Sequence, residues 1–149
     1  MPKQIVYDYQ EVYDFAKDIY PFAPSLTATG IGLKEDGQMI AGVIYEDYNG
    51  TNIHMHVAAT PGRRWMTRDF LYTCFAYPFI QLGCQRITGT VEASNLEARR
   101  FDEHLGFEQE AVLKRAARDG GDVILYVMFR ENCRFIKDHK YGKQKQQSS

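Results

Sequence analysis

No stretch of this chain approaches the roughly 20 consecutive apolar residues that a membrane-spanning helix needs. The N-terminal segment MPKQIVYDYQ has no apolar core of a secretory signal. We therefore expect a soluble, cytoplasmic protein. Cysteine is scarce: Cys74, Cys84 and Cys133 are odd in number and show no CxxC spacing, which argues against both a disulfide framework and a thiolate zinc site. Three free thiols in a reducing compartment are the expectation. No excess of one charge is present either, with 18 Lys+Arg against 19 Asp+Glu and a net charge of -1. The only imbalance is local, because residues 134–149 carry five basic side chains and a single acid, Asp138. We read this end, about 136–149, as a basic solvated tail rather than a nucleic-acid arm, since no basic stripe occurs elsewhere. Internal repeats and interdomain linkers are lacking too.

What is present fits one globular domain over 1–135: 44% of the 149 residues are hydrophobic, 13% are aromatic and 25% are charged. After Asp8, the apolar residues Val12, Phe15, Ala16 and Ile19 follow helical spacing. Residues 27–33 and 38–48 read as strands joined at Asp36-Gly37, a hairpin signal, and the turn Tyr48-Asn49-Gly50-Thr51 leads into a third strand at 52–59. The first half is thus predicted to be an antiparallel meander. From Thr67 to Gly83 the period is helical, with a kink expected at Pro78. A strand at 86–93, a helix opened by a Ser94–Glu97 capping box and closed at Gly106, and strands at 109–116 and 123–130 complete the chain. Helix, three strands, helix, strand, helix, two strands is the order of a mixed α/β sheet-and-helix domain in three layers.

That order, together with RITGTVEASNLEARRFDEHLGF at 86–107, resembles the GNAT superfamily of acyl-CoA-dependent N-acyltransferases. The carrying features are a strand ending in V-x-x-x-N, a helix from Asn95 with Ala98 one turn on, and its closure by Leu105-Gly106-Phe107. The final hairpin is similar to that of the ribosomal-protein N-terminal acetyltransferase branch, and small chains of this kind also resemble phage and mobile-element proteins. The resemblance implies a three-layer αβα fold with a central, mostly antiparallel, splayed sheet. It also implies acetyl-CoA as co-substrate and an amine as acceptor. The family's phosphate loop follows the strand at 52–59, and here it reads ATPGRRWMTRD. Gly62 is present, but Trp65, Met66 and Thr67 stand where further glycines are usual.

By that resemblance, Val57, Ala58 and Ala59 offer backbone groups to the co-substrate and meet the oxyanion. Gly62, Arg63, Arg64, Trp65, Met66, Thr67 and Arg68 hold its phosphates, and Asn95 contacts its pantetheine arm. The residues themselves support the loop reading: Thr67 can cap a helix whose positive end favours an anion, and three arginines add charge. Each has a plainer alternative, with arginines solvating a loop and Trp65 covering the core. For proton transfer the candidates are His56, which titrates near working pH, and Glu92 at a strand end. His54 shares the face of His56, yet the pair lacks a third metal ligand, so no metal site is expected. Glu46 and Asp47 read as solvated surface or as an attraction for a cationic amine. Many family members protonate the leaving thiolate with a tyrosine on the 95–105 helix. Phe101 stands where that tyrosine is expected, so the acid is taken to be absent, a tolerable loss for a thiol of pKa about 8.5. The loop 20–25 is a candidate wall for the acceptor, and a homodimer is possible by resemblance. Two functions follow: an N-acetyltransferase acting on a primary amine without a covalent enzyme intermediate, or a catalytically inactive protein of this fold used for binding or structure.

Overall fold

The computed structural model describes residues 2–19 and 23–137. Seven strands form a single sheet in the order β1-β2-β3-β4-β5-β7-β6. Their ranges are β1 (Lys3–Val6), β2 (Thr29–Glu35), β3 (Gln38–Glu46), β4 (Asn52–Ala59), β5 (Arg86–Glu92), β6 (Glu108–Leu113) and β7 (Val123–Phe129). The helices are α1 (Tyr9–Ile19), α2 (Arg68–Ala76), α3 (Leu96–Leu105) and a short α4 (Arg134–Lys137). The strand β1 is an addition to the order read from the sequence. It pairs antiparallel with β2 at the edge, Lys3 opposite Glu35 and Val6 opposite Gly32.

The meander is as expected. Asp36 and Gly37, at φ 53° and 83°, make the two-residue turn between β2 and β3, the left-handed pair that matches strand twist. At the next turn Asn49 accepts from the backbone N–H groups of Thr51 and Asn52 at 3.0 and 2.9 Å. Alternation then divides the side chains between two faces. On one, Ile44 and Ala58 pack with Val12 and Ala16 of α1. The helix lies close enough that a Cβ on Gly42 would come within 3.1 Å of Val12. On the other, Val43, Ile53, Ile87 and Tyr126 pack with Phe70, Phe75, Leu105 and Ile136. The result is three layers: α1, the sheet, and α2 with α3 and α4.

Two helix boundaries differ from the sequence reading. The segment after β4 is α helix only to Ala76, and Tyr77–Gln81 form a wider π turn closed by Leu82 N–H to the Tyr77 carbonyl at 3.0 Å. Pro78 has no N–H to donate, so the regular ladder is broken there. At α3 the capping residue is Asn95 rather than Ser94. Asn95 Oδ1 accepts from Ala98 N–H at 3.2 Å, while the Ser94 hydroxyl donates to Asp119 at 3.0 Å. Arg134 finishes the other end of α3, donating to the carbonyls of His104 and Leu105 at 2.8 and 3.0 Å. The three cysteines are buried and free, and Cys84 lies beyond the helical segment, just before β5. Among the described residues no helix is long and apolar enough to cross a membrane. Residues 138–149, most of the basic tail, lie outside the described residues, as do positions 20–22 of the predicted acceptor wall.

Candidate active site

The sheet opens at its centre. Strands β4 and β5 are parallel neighbours, but their pairing covers only Asn52 with Arg86, Ile53 with Ile87 and His54 with Thr88. Below that point a polar clamp holds them: Thr88 Oγ1 donates to Asn52 Oδ1 at 2.7 Å, and the N–H groups of Gln85 and Arg86 reach the Thr51 carbonyl. Above it the two strands continue without pairing to each other, leaving a cleft of about 760 Å³. Its walls include Met55, Val57 and Ala59 on one side and Gly89, Val91 and Glu92 on the other.

The direction of the free backbone groups follows from the ladder with β3. Thr60 N–H donates to the Ile40 carbonyl at 2.9 Å. Alternation therefore turns the even residues of β4 toward β3 and the odd ones toward β5. The Met55 carbonyl agrees, lying 4.0 Å from where a Cβ on Gly89 would sit. The N–H groups of Val57 and Ala59 thus point into the cleft, beyond the last β4–β5 pair. Ala58 faces α1 and is buried in the smaller core cluster.

At the cleft mouth, the loop after β4 brings some of the expected residues together and sends others away. Gly62 and Arg63 line the cleft, with Gly62 at φ 97°. Arg64 turns to Glu35 at 3.2 Å. Trp65 is only 5% exposed and packs edge-on to Phe70 at 6.2 Å and tilted on Phe101 at 5.3 Å, although its surface still borders the cleft together with Met66. Thr67 caps α2, accepting from Phe70 N–H at 3.2 Å. Arg68 is exposed on the first turn. Asn95 borders the cleft as well as capping α3.

The two expected proton carriers have different surroundings. His56 Nε2 lies 2.8 Å from Glu46 Oε2, with 17% and 12% of the two side chains exposed. Burial lowers the His56 pKa, and the Glu46 carboxylate works against that drop. Glu46 also accepts from Ser25 N–H at 3.1 Å, so it is a half-buried partner of the histidine and not the solvated surface charge expected. Glu92 Oε2 accepts from Arg118 N–H at 2.7 Å, tying β5 to the loop between β6 and β7. One residue that sequence reasoning passed over is Asp102, which lines the cleft from α3. Burial, with a smaller push from Glu103, raises its pKa to about 7. Ala98, Asp102 and Leu105 fall at i, i+4 and i+7, so the inward face of α3 was available as a signal. Among the described residues no group of three His, Cys, Asp or Glu side chains is placed to hold a metal ion.

No protein-family model matches the chain, and no curated protein matches its sequence. Solved structures do. The spermidine/spermine N-acetyltransferase SpeG from Vibrio cholerae superposes with a TM-score of 0.71 at 13% identity, over 87% of this chain and 93% of that one. A structure described as a probable acetyltransferase matches with a TM-score of 0.67 at 13% identity, again over 87% and 93%. With a mostly antiparallel seven-stranded sheet splayed between β4 and β5, the chain has the fold of the GNAT acetyltransferases.

Proposed function

We propose that this protein is an acetyl-CoA-dependent N-acetyltransferase acting on a primary amine. The observation that carries the reading is the splay: two strand amides, Val57 and Ala59, face a cleft that no strand among the described residues fills. An extended amide-bearing arm can take the place of the missing strand there, with the Val57 N–H left to stabilise negative charge on a carbonyl oxygen. Acetyl-CoA supplies the acetyl group activated as a thioester. Its arm would lie along Val57, Ala58 and Ala59 and pass Asn95. Its phosphates would meet Gly62, Arg63 and the positive end of α2, which Thr67 opens. Trp65 and Met66 wall that end. Arg64 and Arg68 add long-range positive charge, with Arg64 already drawn to Glu35.

For the acceptor, His56 is the proposed base. Because burial lowers its pKa, the ring is neutral at pH 7 and able to take a proton, while Glu46 orients it and steadies the charge that follows. Glu92 is the second candidate, with one carboxylate oxygen engaged by Arg118. The solved neighbour is named for spermidine and spermine, which makes spermidine the first acceptor to try, followed by a peptide with a free α-amino group.

The test is calorimetric titration of acetyl-CoA into the full chain, with Arg63→Ala and Arg64→Ala alongside, then thiol release in the presence of each amine. Micromolar binding weakened more by Arg63→Ala than by Arg64→Ala supports the site as drawn. No binding at hundreds of micromolar refutes the enzyme reading and leaves a protein of this fold used for binding or structure.

A further inference from the structure

We propose that Asp102 is the acid that protonates the departing sulfur when the acetyl group leaves, standing across the sheet opening from His56. This rests on the acetyltransferase reading above, and it reverses the expectation that the chain carries no such acid.

The geometry has three parts. Asp102 lies on the α3 face turned to the sheet, and its Oδ2 is 3.8 Å from the position a Cβ on Gly89 would occupy. Gly89 is the first β5 residue beyond the last β4–β5 pair, so a glycine stands where a side chain would separate the carboxyl from the inner end of the cleft. That inner end is also where a thioester would reach. From Ala59, beside the loop that would take the phosphates, to Met55 the strand runs four residues, about 13 Å. An arm laid along β4 from the mouth therefore carries its reactive end toward Met55 and Gly89.

The third part is the company Asp102 keeps. Among the described residues it forms no ion pair. Arg100, two positions before it, borders the same cleft without forming an ion pair with it, and Arg99, one turn back, is engaged elsewhere, donating to the Tyr126 hydroxyl at 3.4 Å and to the Ala93 carbonyl at 3.3 Å. Glu103 accepts from that same hydroxyl at 2.7 Å. Around Asp102, α3 presents Glu103 beside it and Glu97, Arg100 and His104 along the cleft, β7 presents Tyr126, β5 presents Glu92, and the loop after β4 presents Arg63 at the mouth. His56 lies on the α1 face of the opening. Burial without a paired cation keeps the carboxyl protonated to about pH 7, the form an acid needs.

The step balances. The neutral amine nitrogen bonds to the acetyl carbon as the carbon–sulfur bond breaks, and the sulfur takes the Asp102 proton to become a thiol. The proton lost by the nitrogen goes to His56, and water exchange then returns one proton to Asp102 and removes one from His56. Amine and thioester become amide and thiol with no net proton gained or lost.

The experiment reads the ionisation of the thiol of bound CoA, followed by the ultraviolet absorbance of its thiolate, in the full chain and in Asp102→Asn. Asparagine keeps the shape and removes the charge, and Asp102→Ser serves where the amide is misplaced. With Asp102 beside the sulfur, its carboxylate opposes thiolate formation. CoA affinity should then stay within about twofold, while the thiol ionises about tenfold more readily in the variant. Equal ionisation in both proteins, with CoA bound, overturns the acid role and leaves the acetyltransferase reading standing. Loss of CoA binding in both variants makes Asp102 part of the binding wall and also overturns it. If the unsubstituted chain does not bind CoA, the acetyltransferase reading falls, and this inference with it.

Discussion

Asp102→Asn should stabilise the protein at pH 8 and change little at pH 4.5. The folded carboxyl titrates at about 7, roughly three pH units above its ordinary 3.8. A group whose folded-state pKa is raised contributes stability that is fully present below the unfolded value and lost as pH climbs through the folded one. The loss therefore runs from about pH 4 to just above pH 7. At 1.36 kcal/mol per unit, three units set an upper figure of roughly 4 kcal/mol. Because Asp102 borders the cleft, water relaxes part of that penalty, and about 2–3 kcal/mol is the expected loss. Asparagine is neutral throughout and loses nothing. In a domain of this size each kcal/mol moves Tm by about 3–4 °C. The Tm difference between variant and parent should thus widen by about 6–12 °C from pH 4.5 to pH 8. Melts followed by circular dichroism across that range, with reductant for the three thiols, measure it directly. A difference that stays flat would mean the carboxyl is ionised without penalty, and the physical basis for its acid role would be gone.

Three further substitutions probe the surrounding frame. Asn95→Ala should cost about 1 kcal/mol in urea unfolding by removing the cap of α3, and Ser94→Ala should cost less than half of that. Glu46→Gln removes the charge that opposes burial at His56, so the ring should titrate at lower pH in histidine-resolved NMR. With the folded His56 pKa below its unfolded value, the stability it contributes is present above about pH 6.5 and lost as pH falls; the variant should steepen that acid loss. Arg134→Met should cost about 1–2 kcal/mol by leaving the His104 and Leu105 carbonyls without their donor, read as a lowered urea midpoint with an unchanged slope.

Local signals carried most of the fold. Asp36-Gly37, Asn49 and the helical spacing of Val12, Ala16 and Ile19 act within a few residues, and the elements they announce are where the sequence places them. What escaped depends on distant partners. The segment KQIV has two exposed and two half-buried positions, too weak a pattern to announce a strand, and it becomes one because β2 offers an edge. The π turn at Tyr77–Gln81 keeps a helical pattern of apolar residues, so only the missing N–H of Pro78 hinted at a change of ladder. Ser94 and Asn95 were both acceptable caps by chemistry, and Asp119, 25 residues further on, decided between them by taking the serine hydroxyl.

The site was legible in its backbone and illegible in its charges, for the same reason. Strand boundaries at Ala59 and Glu92 follow from local sequence, and with them the place where two strands part. Whether an acid on a strand or helix is solvated depends on what covers it. Glu46 looked like surface until the loop at Ser25 and His56 closed on it. Asp102 drew no attention in the sequence, and its burial depends on Gly89, 13 positions earlier, which leaves a bare stretch of strand beneath it. The opening lets the two proposed proton carriers approach one cleft from opposite faces of the sheet, His56 from the α1 face and Asp102 from the α3 face. Held apart in this way, a base and an acid keep complementary protonation states near pH 7 without neutralising each other, the condition for moving a proton off an amine and onto a sulfur in one passage.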